Sequence, residues 1–78
     1  MYIVTSNSDN LVVDVSEDIA YDVFGNILVH NKAIGYFKDK NKVYEAQQLP
    51  EDFDSYRWTY DGVTFERYNE GGEVLEWR

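Results

Sequence analysis

An all-β or β-rich fold with one or two short helical turns is predicted by three features of this chain. Short runs of β-prone residues alternate with clusters of Gly, Asn, Asp and Ser. An Asp-Gly pair sits between two alternating aromatic runs at Asp61-Gly62. No stretch carries the apolar period of a long amphipathic helix. The architecture expected is a single small antiparallel meander of roughly seven strands, sandwich-like or a partly open barrel, occupying residues 1–78 as one domain.

Tyr2-Ile3-Val4-Thr5 and Leu11-Val12-Val13-Asp14-Val15 read as strands joined in a hairpin by Ser6-Asn7-Ser8-Asp9-Asn10, whose side chains favour turns. Ser16-Glu17-Asp18-Ile19 has the capping hydroxyl and acids of a single helical turn. Gly25-Asn26 precedes a second hairpin, Ile27-Leu28-Val29-His30 and Ala33-Ile34-Gly35-Tyr36-Phe37, with Asn31-Lys32 between its arms. Asp39-Lys40-Asn41 then turns into Lys42-Val43-Tyr44-Glu45-Ala46. Leu49-Pro50-Glu51-Asp52-Phe53 places the only proline at the first position of another helical turn, followed by two acids.

The third hairpin carries the strongest local signal. A two-residue Asp61-Gly62 loop pairs Tyr60 with Val63, Trp58 with Phe65 and Tyr56 with Arg67 on one aromatic face. Thr59 with Thr64 and Arg57 with Glu66 then lie on the other face. Trp58 and Phe65 are therefore read as core residues. A three-residue loop Glu70-Gly71-Gly72, which would bring Leu75 and Trp77 onto the aromatic side, is preferred to a two-residue Gly71-Gly72 loop, which would pair Tyr68 with Leu75 and place Trp77 beside Glu66 on the more polar face.

A chain of 78 residues without cysteine must hold a thin core together with large rings, and 17% of its residues are aromatic. Seven basic against fifteen acidic residues leave a formal charge of −8, which opposes binding to a phosphate backbone. Direct nucleic-acid binding is not expected. The basic residues are uneven: residues 31–42 hold Lys32, Lys38, Lys40 and Lys42 against Asp39 alone. No apolar run is long enough to span a bilayer, and Met1-Tyr2-Ile3-Val4 lacks a signal peptide's basic flank, so a cytoplasmic product without membrane contact is expected.

Catalytic and cofactor chemistry is not legible. His30 is the sole imidazole, and its place at a strand end favours a surface or structural role. The acids of Asp14, Glu17 and Asp18, or of Glu51, Asp52 and Asp54, lack the alternation and central glycine of a calcium loop. No enzyme activity, metal or cofactor is expected. Seven tyrosines exceed what so thin a core can enclose, and tyrosine serves interfaces well because its ring is apolar and its hydroxyl wet. The candidate interaction residues are Tyr36, Lys38, Lys40, Tyr44 and Tyr68, facing another protein or a second copy of the chain.

The segment from Val43 to Tyr68, with Leu49-Pro50-Glu51-Asp52-Phe53, Tyr56-Arg57-Trp58-Thr59-Tyr60-Asp61-Gly62 and Phe65, resembles short proteins from tail gene modules of phages infecting Gram-positive bacteria. That resemblance implies a virion-associated or phage-accessory role without enzymatic activity. An assembly or protein-interaction module is the leading expectation. An acidic mimic of nucleic acid, occupying a basic groove of a host protein, is the alternative. Sugar stacking on Trp58 or Trp77 is a third.

Overall fold

The strands of this protein are short because turn-forming residues interrupt every apolar run within five positions. A computed structural model describes residues 1–68. Among these, eight strands form and no helix does: β1 (Tyr2–Ser6), β2 (Val12–Ser16), β3 (Ala20–Tyr21), β4 (Ile27–Val29), β5 (Ile34–Tyr36), β6 (Asn41–Glu45), β7 (Trp58–Tyr60) and β8 (Phe65–Arg67). The fold is all-β. All pairings are antiparallel, in three small sheets ordered β2-β1-β6, β3-β4-β5 and β7-β8.

The central sheet departs from a plain meander, since β6 returns to pair with β1 instead of with β5. Burial on both faces explains this return. Ile3 and Val4 are adjacent in β1, point to opposite faces, and are both fully buried. Ile3 packs with Val12, Ala46 and Tyr60, whereas Val4 packs with Ile27 and Val29. The β3-β4-β5 sheet thus covers one face of the central sheet and β7-β8 with Leu49 and Phe53 covers the other. Each fully buried Ile or Val contributes roughly 1.5–3 kcal/mol by leaving water.

A bulge in β2 sets what this layering can hold. Val4 pairs with Asp14 and Thr5 with Val12, leaving Val13 unpaired. Val13 and Asp14 therefore both serve the Val4 side, while Val12 and Val15 join the Ile3 cluster.

The Asp61-Gly62 hairpin forms, but its register differs from the predicted one by two residues. Tyr60 pairs with Phe65, Thr59 with Glu66 and Trp58 with Arg67, across a four-residue loop at 61–64. The reason lies in Asp61, whose Oδ1 accepts the amides of Val63 at 2.9 Å and Thr64 at 2.8 Å. Only Gly62 of the pair adopts a positive φ, so a type I′ turn is not made. A slip of two preserves the pleat, and Trp58, Tyr60 and Phe65 still share a face. Val63 is instead lifted into solvent, 84% exposed.

Neither expected helical turn forms. The Ser16 hydroxyl accepts the Asp18 amide at 3.2 Å within a loop leading to β3, a short strand the sequence reading missed. Near Pro50, a single bond from the Phe53 amide to the Pro50 carbonyl, 3.1 Å, makes a turn only. Asn31-Lys32 does join β4 to β5, with positive φ at His30, Asn31 and Lys32. The Glu70–Gly72 loop, Leu75 and Trp77 lie outside the described residues.

Candidate functional site

The β3–β4 connection is built around one carboxylate. Asp22 Oδ1 accepts the amides of Phe24 at 2.9 Å and Asn26 at 2.8 Å, and its Oδ2 accepts the Asn26 side-chain amide at 3.1 Å. The Gly25 amide closes onto the Asp22 carbonyl at 3.0 Å, with Gly25 at φ +89 where an L side chain is disfavoured. These bonds, the Asn26 amide foremost, hold the Asp22 carboxyl below the ordinary carboxylate range. The loop is tightly specified, yet it presents Val23 at 93% and Phe24 at 72% exposure.

The end of β5 reinforces that tip. Lys38 Nζ donates to the Phe24 carbonyl at 2.6 Å, and its amide donates to Asn26 Oδ1 at 3.1 Å. Phe37, 66% exposed, adjoins Lys38 and lines a groove of about 190 Å³ floored by Leu28 and Gly35. Three exposed apolar side chains, Val23, Phe24 and Phe37, are thus carried on hydrogen-bonded backbone.

A second constellation lies on the β4–β5 turn. Asp14, aimed by the bulge, accepts the Tyr36 hydroxyl on Oδ2 at 2.8 Å and sits 2.8 Å from His30 Nε2 through Oδ1. Burial, followed by the bond to Asp14 and its charge, raises the Tyr36 hydroxyl well above the ordinary phenol range. The Ser16 hydroxyl accepts the His30 amide at 3.2 Å, and Asp18 Oδ2 accepts the Asn31 amide at 2.9 Å. The Ser16 hydroxyl and then the Asn31 amide hold the Asp18 carboxyl below its usual range. Beside them opens a cleft of about 440 Å³ lined by Val15, Ser16, Glu17, Asp18, His30 and Asn31.

The hydrogen-bonding groups of this constellation are engaged within the chain. The Asp14 oxygens are occupied by His30, Tyr36 and the Val15 amide, and the Ser16 hydroxyl is turned to Asp18 at 2.8 Å. Among the described residues, no three His, Asp or Glu side chains are placed to share a metal ion.

The five residues singled out in the sequence are dispersed. Tyr36 is half-buried against Val4, Ile27 and Val29, and Lys38 braces the β3–β4 tip. Lys40 is exposed in the turn before β6, where its carbonyl accepts the Asn7 amide at 2.9 Å. Tyr44 is packed edge-on against Tyr60 at 5.4 Å, on the opposite face of the central sheet from Tyr36. Tyr68 is half-buried beyond β8, with its amide on the Arg57 carbonyl at 2.9 Å.

Sequence reasoning passed over Val23, Phe24 and Phe37 because an apolar side chain is read as core by default. The available signal was the flanking Asp22 and Gly25-Asn26, which places an apolar pair at the apex of a turn. Among the described residues no helix is long and apolar enough to cross a membrane. Comparison with known protein families, with curated proteins and with solved structures finds no match to this chain.

Proposed function

We propose that this chain is a non-enzymatic protein-interaction or assembly module, of phage or prophage origin. The observation that carries the reading is the Val23-Phe24 tip, which holds two large apolar side chains in water on a loop closed by Asp22, Gly25, Asn26 and Lys38. Such exposure forgoes roughly 1.5–3 kcal/mol per side chain that burial would return, and a docked partner supplies that burial. Preorganisation adds to the case, because little loop entropy is lost on docking. Its phage assignment rests on the resemblance of residues 43–68 to tail-module proteins.

The nucleic-acid mimic has less support. Asp14, Asp18, Asp22 and Asp61 accept hydrogen bonds from the chain's own amides and side chains, which accounts for their carboxylates without a basic partner.

The test compares the protein with a Val23→Ser, Phe24→Ser double variant, by light scattering after size-exclusion chromatography and by capture from phage-infected lysate. A partner or self-association retained by the parent and lost by the variant, at equal thermal stability, is the expected result. A parent that stays monomeric and retains nothing overturns the reading.

A further inference from the structure

The outer edge of β6 is the longest strand edge left without a neighbour among the described residues. Its hydrogen-bonding alternation is set by three bonds. Met1 and Ala46 exchange both of theirs, Ala46 amide to Met1 carbonyl at 2.9 Å and the Met1 amino group to the Ala46 carbonyl at 3.1 Å. The Asn7 amide reaches the Lys40 carbonyl at 2.9 Å. With Ile3 opposite Tyr44 and Thr5 opposite Lys42, those two pairs bond inward to β1. Val43 and Glu45 therefore turn both their N–H and C=O groups outward.

Three lysines accompany this edge. Lys38, Lys40 and Lys42 are exposed on the turn into β6 and on the strand itself, whereas Lys32 lies apart from them in the β4–β5 turn. Asp39 is the only acid of residues 31–42 in a chain of net charge −8. Lysines along an edge discourage pairing with an apolar or basic strand, and the same charges favour an acidic one.

The geometry points to strand addition at β6: an extended, acidic segment of another protein lies antiparallel along Asn41–Glu45, bonding to the Val43 and Glu45 peptide groups, with its carboxylates near Lys40 and Lys42. The inference rests on the interaction reading above but uses a different surface from Val23-Phe24.

Its test is selection from a random heptapeptide library displayed against the whole chain, followed by titration of the enriched peptides. Expected are peptides with carboxylates flanking alternating β-branched residues, binding more weakly as salt rises. Glu45→Pro removes one outward N–H and no bond within the chain, and should cost about tenfold in affinity, although it also removes a negative charge that opposes the ligand. Lys40→Glu with Lys42→Glu should cost at least as much and leaves the backbone donors in place. Amide exchange at Val43 and Glu45 should slow on binding.

Peptides that ignore both variants yet are lost with Val23→Ser, Phe24→Ser overturn the edge inference and leave the interaction reading standing. Enrichment of basic or purely apolar peptides, or no enrichment, also overturns it. Concentration-dependent self-association abolished by Glu45→Pro would make a second copy the occupant and overturn the acidic partner.

Discussion

The phenol of Tyr36 donates a 2.8 Å hydrogen bond to Oδ2 of Asp14, tying β5 to β2 across the core between the two sheets. Its partner carboxylate is 16% exposed, so little water can replace the bond. Tyr36→Phe should lower stability by about 1.5 kcal/mol, read from urea unfolding. Alkali should act on the same pair. The folded hydroxyl titrates above the unfolded value near 10, so its contribution is complete below about pH 10 and declines as pH rises toward the folded value. The parent's urea midpoint should fall on that rise more steeply than that of Tyr36→Phe.

Acid should loosen three turns together. Asp18, Asp22 and Asp61 are held below the ordinary carboxylate range, chiefly by the Ser16 hydroxyl, the Asn26 amide and the Thr64 amide respectively. A depressed pKa contributes stability above the unfolded value and loses it as pH falls through the folded one, so the decline belongs below about pH 4. Thermal midpoints measured downward from neutral pH should drop there. Asp22→Asn keeps an acceptor oxygen but cannot titrate, and its profile should be flatter.

Gly62 cannot be replaced without cost. It sits at φ +99, and a Cβ would lie 2.9 Å from Cε1 of Tyr44, whose ring is held edge-on by Tyr60 at 5.4 Å. Gly62→Ala should destabilise by at least about 1 kcal/mol. At Gly35 the nearest atom to a new Cβ is Leu28 Cδ2 at 3.4 Å and no positive φ is involved. Denaturant titration of both variants should show the smaller loss for Gly35→Ala.

Lys32 holds a φ of +69 in the turn between β4 and β5, a conformation that costs an L residue about 1 kcal/mol. Lys32→Gly makes the turn Asn-Gly, the pair best suited to positive φ at successive residues. The expected outcome is a rise of about 1 kcal/mol in unfolding free energy with an unchanged denaturant slope.

Much of the fold is legible in local pattern. Unbroken β-prone runs at Tyr2–Thr5 and Ile27–Val29, and alternation in Trp58–Tyr60, mark strands wherever they lie in space, since β-branched and aromatic side chains fit a pleated, extended backbone. Turn residues likewise mark where the chain reverses. The Asp61-Gly62 register was not legible, because it depends on whether the Asp61 carboxylate captures the Val63 and Thr64 amides or leaves them to the ladder. The apolar tip was legible only in part: Asp22 and Gly25-Asn26 mark a turn there, but Val23 and Phe24 have core-forming composition, and the packing around the turn decides that they stay in solvent.

The sequence by itself determined the all-β class, the placing of most turns, and a basic segment within an acidic chain. All three follow from bonded geometry and side-chain chemistry acting over a few residues. Tertiary structure alone decided that β6 pairs with β1, that Asp14 meets both His30 and Tyr36, and that among the described residues the β6 edge lies open beside Lys40 and Lys42. Those relationships join positions far apart in the chain. They are selected by the need to bury Ile3 and Val4 on opposite faces of a single strand, a constraint that no local window contains.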